Sequence, residues 1–226
     1  MKRTLIWNNK KAEDMEVKII SIPPIQLSTE RVEEKEVEGR DGTLTETDGY
    51  TTDTKQVECD FRGADTQRIL QWLKGNGEVI FGNIDDRYYK ARINNAVPLN
   101  QVIENQLYSF SIQFRCQPFG YLLDGNNIKA LTTATTLKHN KCTYKSLPLI
   151  TICGTGACTV TINGRTFNIS EIGGSITIDS DIELVLNGKG NYMSGLFPYL
   201  DPGENNISWT GTGVTRLDIV PHWRAL

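Results

Sequence analysis

Along most of the chain, apolar and polar side chains alternate with a period of two, the spacing of strands with one buried and one wetted face. The clearest case is Tyr108, Phe110, Ile112, Phe114 and Cys116, interleaved with Ser109, Ser111, Gln113 and Arg115. Val57, Cys59 and Phe61 alternate with Glu58, Asp60 and Arg62 in the same way, which places both runs in one sheet system. One segment departs from that period. Asp65 to Lys74 carries Asp65 or Thr66 as N-cap, an apolar stripe of Ile69, Leu70, Trp72 and Leu73, and Gly75 as its stop, so a helix is expected over about 65–75. Asn76-Gly77 then turns into the strand Glu78–Phe81, and a turn over Gly82–Arg87 leads to Tyr88–Ile93, which makes a hairpin.

Two stretches are harder to place. In the acidic run Glu30–Glu38, Val32 and Val37 are five apart, which fits neither a helix face nor a clean strand. With the turn Gly39-Arg40-Asp41-Gly42 and the Thr-rich segment Thr43–Thr54, it reads as a long exposed hairpin with little core of its own. From Asp124 to about Tyr144 the chain is polar and Thr-rich, a linker or an edge region. Beyond it come short strand candidates at regular spacing: Leu149–Ile152, Ala157–Ile162, Thr166–Ile169, Ser175–Ile178, Ile182–Leu186, Asn206–Trp209 and Arg216–Val220. Gly or Asn punctuates nearly every gap, the mark of an antiparallel sandwich. The expected fold is mainly β with two β-sandwich-type domains, the first holding the helix and the hairpin. The boundaries are 1–122, a linker or edge region 123–144, and 145–226.

The charge distribution supports that division. The chain has 226 residues and a formal net charge of −3, without the basic excess of a domain that grips nucleic acid by its phosphates. Residues 1–120 hold 16 basic and 19 acidic side chains, whereas residues 121–226 hold 8 of each. Twelve of the 20 glycines fall in the second half. Met1-Lys2-Arg3 is followed by a short mixed segment rather than an apolar run, so no export signal is expected. Nor does any apolar stretch reach bilayer-spanning length. The five cysteines are odd in number and scattered, as reduced thiols would be.

Catalytic constellations are not apparent. His139 falls in the linker and His222 near the end, with no local His–Cys or His–Asp pair. Cys153 and Cys158 are not spaced as a zinc knuckle and read as small buried thiols beside a hairpin turn. Asp85-Asp86 could be offered as a glycosidase pair, but neighbours at a hairpin tip would point apart and stay solvated. Gly154, Gly156, Gly173 and Gly174 lack the strand-to-helix context of a phosphate loop. Trp72 belongs to the helix stripe, while Trp209 and Trp223 are open to packing or to sugar stacking. No catalytic residue, metal site or cofactor is expected.

Three motifs in order carry a resemblance. The first is Gly39-Arg40-Asp41-Gly42-Thr43-Leu44, the segment to Tyr50 and the alternating Val57–Phe61. The second is the helix ending Trp72-Leu73, then Gly77–Phe81 and Asp86–Arg92. The third is Phe110–Tyr121, closing on Gln117-Pro118-Phe119-Gly120-Tyr121. Together they resemble the N-terminal domain of the distal tail proteins of long-tailed bacteriophages and prophages. Pro148-Leu149-Ile150, followed by the glycine-punctuated β region, is similar to that family's C-terminal galectin-like sandwich.

The resemblance implies a non-enzymatic hub at the virion tail tip, assembled in the host cytoplasm. Six copies would form a ring, singly or as back-to-back pairs. The ring would continue the DNA channel from the tail tube protein to the tail-associated lysin or baseplate protein, with tape-measure protein and DNA passing through and no membrane involved. A hairpin with more charge than core suits an element completed by a neighbour. The oligomer-interface candidates are Val32, Val37, Gly39, Arg40, Asp41 and Gly42. An acidic first half suits a channel along which DNA slides without adsorbing. The rival reading is a carbohydrate-binding module for cell-wall sugars, stacking on Trp209, Tyr192 and Tyr199. A cell-wall hydrolase ranks last, for want of an acid/base pair.

Overall fold

The computed structural model describes residues 3–39 and 41–226. By contacts the chain divides into two compact units, one running to Gly120 and including Leu226, the other Tyr121–Ala225. Among the described residues the fold is mainly β, with one α-helix.

The first unit is built from β1 (Leu5–Trp7), β2 (Lys10–Lys11), β3 (Val17–Ser21), β4 (Glu30–Glu36), β5 (Thr43–Tyr50), β6 (Asp53–Arg62), α1 (Thr66–Trp72), β7 (Asn76–Phe81), β8 (Ile84–Ile93), β9 (Asn100–Ile103) and β10 (Leu107–Leu122). Apart from β4 and β5, its strands follow one hydrogen-bonded path, β2-β1-β7-β8-β10-β6-β3, with β9 also on β10. The alternation read along residues 108–116 and 57–61 fixes the register, since Tyr108, Phe110 and Ile112 lie opposite Phe61, Cys59 and Val57. Every one of these side chains is buried. The sequence suggested two facing sheets. Instead one sheet curls over its own core, and the Arg3 guanidinium, just before β1, donates to the Ile20 carbonyl of β3 at the far end of the path.

The helix starts where the cap was read, with the Asp65 carboxylate accepting from the Arg68 amide at 3.0 Å. It delivers Ile69, Trp72 and Leu73 to the core, and Trp72 Nε1 donates to the Trp7 carbonyl. Leu70, assigned to the same stripe, points outward and is 43% exposed. Trp7, Phe81 and Phe114 form an aromatic centre with ring centroids 5.2 Å and 5.9 Å apart about Phe114. The β7–β8 turn is tighter than expected. It uses Gly82 and Asn83 alone, so Asp85 and Asp86 lie in β8 and not at a hairpin tip.

The second unit holds β11 (Lys129–Leu131), β12 (Thr135–His139), β13 (Leu149–Gly154), β14 (Cys158–Ile162), β15 (Arg165–Ile169), β16 (Gly174–Asp179), β17 (Leu184–Val185), β18 (Met193–Gly195), β19 (Gly203–Thr210), β20 (Val214–Val220) and β21 (Arg224–Ala225). Two five-stranded sheets, β11-β20-β13-β16-β17 and β12-β19-β14-β15-β18, share one core. One sheet contributes Ile150, Ile152, Ile176, Ile178, Leu217 and Ile219, the other Val160, Ile162, Phe167, Ile169 and Ile207. At about 1.5–3 kcal/mol per fully buried large aliphatic, this interior is the main stabilising term of the unit. Within residues 123–144, β11 pairs with β20 and β12 with β19, each at the edge of its sheet.

Candidate assembly surface

The acidic run forms β4, paired to β5 as a two-stranded antiparallel ribbon separate from the main sheet. Every residue of β4 is exposed, and in β5 only Tyr50 is half-buried. The ribbon has no core of its own because its sequence offers none. Opposed pairs put Val32 with Thr47, Glu34 with Thr45 and Glu36 with Thr43 on one face, and Glu33 with Glu46 and Lys35 with Leu44 on the other. Directly opposed Glu33 and Glu46 repel, and Lys35 offsets this from 3.5 Å on each side. Arg31 pairs with Asp48 at 2.9 Å. Such exposed pairs contribute little, about 0–1 kcal/mol each.

What holds the ribbon is its root. Thr51 N donates to Thr29 O at 2.8 Å, Ser28 Oγ to Pro118 O at 2.8 Å, and Arg115 Nε to Thr52 Oγ1 at 3.1 Å. The rings of Tyr50 and Phe119 meet edge to face at 6.1 Å. Just inside the root lies a buried ion pair that sequence reasoning missed, Lys55 Nζ to Asp53 Oδ2 at 2.8 Å, with the ammonium 5.3 Å from the Tyr89 ring centroid. Burial would raise the Asp53 carboxyl, but hydrogen bonds from Lys55 and Gln26 outweigh it and hold it below the usual carboxylate range. The ribbon is therefore an arm without a core, clamped at its base.

Of the six oligomer-interface candidates, Val32 lies in the arm beside Thr47, Val37 just past the end of β4, and Gly39, Asp41 and Gly42 at the exposed tip. Arg40 lies outside the described residues. Gly39 and Gly42 both have φ of +81°, which a side chain would strain. The arm also carries Leu44, whose exposure matches that of Val32 and Val37.

The sugar-stacking candidates do not form a platform. Trp209 lies opposite buried Val160 and packs against the interior of its unit. Tyr192 is exposed in a single 3₁₀ turn. Tyr199 lines a groove of about 460 Å³ with Arg165, Phe167, Leu196 and Phe197, and neither other aromatic reaches that groove. One face of the Tyr199 ring is covered by the Arg165 guanidinium at 3.8 Å. Asp201 accepts from Arg165 and Asn163 at 2.8 Å each; burial would raise its carboxyl, and these bonds hold it below the usual range.

Asp86 is engaged by Arg87 at 2.8 Å, and Asp85 is exposed. The fold does bring His139 Nε2 to Asp124 Oδ2 at 2.9 Å, a pair that local sequence gave no reason to expect. Its Nδ1 accepts the Lys141 amide at 3.2 Å, so both ring nitrogens have partners within the protein. All five cysteines are free thiols. Burial pushes Cys59 and Cys116 up to about 12, so both stay protonated and unreactive. Cys158 is buried as expected beside its turn, whereas Cys153 is only half-buried. Among the described residues no group of three or more His, Cys, Asp or Glu could hold a metal ion, and no helix is long and apolar enough to cross a membrane.

No protein-family profile matches the chain, and neither does any curated protein sequence. The solved structures do give matches. The hub protein Dit (gp 19.1) of phage SPP1, described as a paradigm of the hub adsorption apparatus in phages infecting Gram-positive hosts, superposes with a TM-score of 0.72 at 14% identity, covering 100% of both chains. A chain of the phage p2 baseplate in its activated conformation superposes at 0.53 and 8% identity, with 97% of each chain covered. From end to end, this chain has the fold of a phage distal tail hub protein.

Proposed function

We propose that this protein is a structural hub of a phage tail tip, a ring of six copies joining the tail tube to the tail-associated lysin or baseplate protein. The carrying observation is the whole-length likeness to the SPP1 hub, with no part of either chain left over. The exposed arm, clamped at its root and lacking a core, supports the same reading, because such a ribbon gains stability only by packing on another surface. In this reading the first unit builds the ring wall. The second unit is a galectin-like sandwich that projects outward, and tape-measure protein and DNA pass through the centre. The place of action is the virion tail tip, after assembly in the host cytoplasm.

The test is direct. Purified protein at tens of micromolar, followed by light scattering and negative-stain microscopy, should give hexameric rings with a central hole, or pairs of them. A strict monomer, both alone and with the tail tube protein added, would overturn the proposal. A sugar-binding role is the weaker reading, since the three aromatic candidates lie apart and Arg165 occupies a face of Tyr199. Glycan-array binding abolished by Tyr199→Ala would reverse that order.

A further inference from the structure

The arm carries the charge of the first half. Between Glu30 and Tyr50 there are eight carboxylates and three basic side chains. Glu34 and Glu36 make no ion pair among the described residues, and Glu33 faces Glu46 across the ribbon. The edge of β4 away from β5 is open, so the ribbon presents a row of backbone donors and acceptors flanked by carboxylates, Glu33 sharing the single ammonium of Lys35 with Glu46. A docking surface for it must supply an open strand edge and cations together.

The main sheet has two ends. At β3 the Arg3 guanidinium already covers the Ile20 carbonyl. At β2 the outer edge is open, and its two residues are Lys10 and Lys11, both exposed and without an ion-pair partner among the described residues. This edge is rigidly held. Trp7 and Ile6 pair with Lys10 and Lys11, and Ala12 N donates to Leu5 O. Asn8 and Asn9 form the turn with φ of 49° and 63°. Successive strand residues point to opposite faces, so Lys10-Lys11 offers one ammonium to each face. Glu33-Glu34, consecutive in β4, offers one carboxylate to each face in the same way.

We propose that β4 of one copy adds to the open edge of β2 in the next copy, with Glu33 and Glu34 set against Lys10 and Lys11. The lysines then select the partner. They repel a basic strand edge, would be left unpaired against a neutral one and attract an acidic one, so the edge favours this ribbon over others. The strand β9 is the rival acceptor, with Val102 and Ile103 exposed. Docking there would leave the arm's carboxylates unneutralised beside Glu104. Charge decides for β2. The inference rests on the ring reading and adds to it which surface each arm grips.

Charge reversal tests it on the full-length protein. Lys10→Glu with Lys11→Glu, and separately Glu33→Lys with Glu34→Lys, should each raise the concentration at half-assembly by at least about tenfold in mass photometry. All four changes together should restore it to within about threefold of the unaltered protein. These positions are exposed, so the melting temperatures should match, which separates assembly from folding. If the Lys10/Lys11 variant assembles normally while a chain with the arm trimmed does not, the β2 assignment is overturned and the ring stands. It is likewise overturned if the combined variant stays dispersed, or if Val102→Asp disperses the ring and the lysine variant does not. If the unaltered chain is monomeric with and without the tail tube protein, the ring reading falls and this inference with it.

Discussion

Removing the arm separates its role in assembly from any role in folding, provided the cut is placed correctly. The Thr29 carbonyl and Thr51 amide are 2.8 Å apart, so Glu30–Tyr50 can be replaced by Asn-Gly, a two-residue turn suited to closely paired strands. The loss is small. The described residues among those excised are exposed apart from half-buried Tyr50, whose edge contact with Phe119 contributes about 0.5–1.5 kcal/mol. Shortening the loop offsets about 1–2 kcal/mol of closure entropy. The net change should lie within about 1 kcal/mol, a shift in Tm below about 5 °C. Extending the deletion to Thr54 is a different matter, since it takes Asp53 and leaves Lys55 buried without its carboxylate. Breaking such a pair costs about 3–5 kcal/mol and should lower Tm by more than about 10 °C. Calorimetry on the two deletions decides. If the shorter deletion melts more than about 10 °C early, the arm belongs to the folding core. If the two melt alike, the buried pair does not anchor the root.

Two further outcomes follow from the same structure. Asp53 and Asp201 are held below the carboxylate range of an unfolded chain, about 3.9, so the stability they contribute is present above that value and lost as pH falls through their folded values; the Tm gap between the unaltered protein and Asp201→Asn should therefore shrink below about pH 4, and a constant gap from pH 7 to 3 would refute this. Gly154 has φ of +143°, and a Cβ there would lie 2.0 Å from the Gly213 carbonyl oxygen, so Gly154→Ala should destabilise the second unit by at least about 2 kcal/mol in urea titration, whereas Gly156→Ala, with open space around it, should cost less.

The sequence disclosed the fold wherever a strand had one wet face and one dry face. The run Tyr108–Cys116 and its partner Val57–Phe61 gave register as well as position, because each inward residue meets another. The same alternation held a signal that went unused. Asp53 and Lys55 continue the inward series of Val57, Cys59 and Phe61, so two charges on a buried face had to neutralise each other. Strands were missed where alternation breaks or has no apolar member. β1 spans three residues, β3 has Ile19 and Ile20 side by side, and β12 is Thr-rich at a sheet edge. Asp85-Asp86 read as a turn by composition, although Gly82-Asn83 had already made one. Val32 and Val37 gave no period because β4 ends at Glu36, leaving only one of them in a strand. Of the candidate surface, the arm was legible as excess charge without core. Its root was not, because Thr29–Thr51, Ser28–Pro118 and Thr52–Arg115 join residues far apart in sequence.

The location of the arm's charge changes the electrostatic argument for a channel. Residues 1–120 are net acidic, but the arm alone takes eight of their nineteen acidic side chains and three of their sixteen basic ones. What remains, the curled sheet and its loops, carries thirteen basic groups against eleven acidic ones. A wall built from that remainder would not by itself repel DNA. Weak adsorption in the proposed channel therefore depends on where the arms lie. Arms wrapped along the lumen or its rim would mask lysines and present carboxylates, whereas arms gripping the outer wall would leave the channel near neutral. Pairing Glu33 and Glu34 with Lys10 and Lys11 neutralises two cations per copy and leaves Glu36, Glu38 and Asp41 at the free end of the ribbon, so the side of the ring on which β2 opens sets the sign of the potential there.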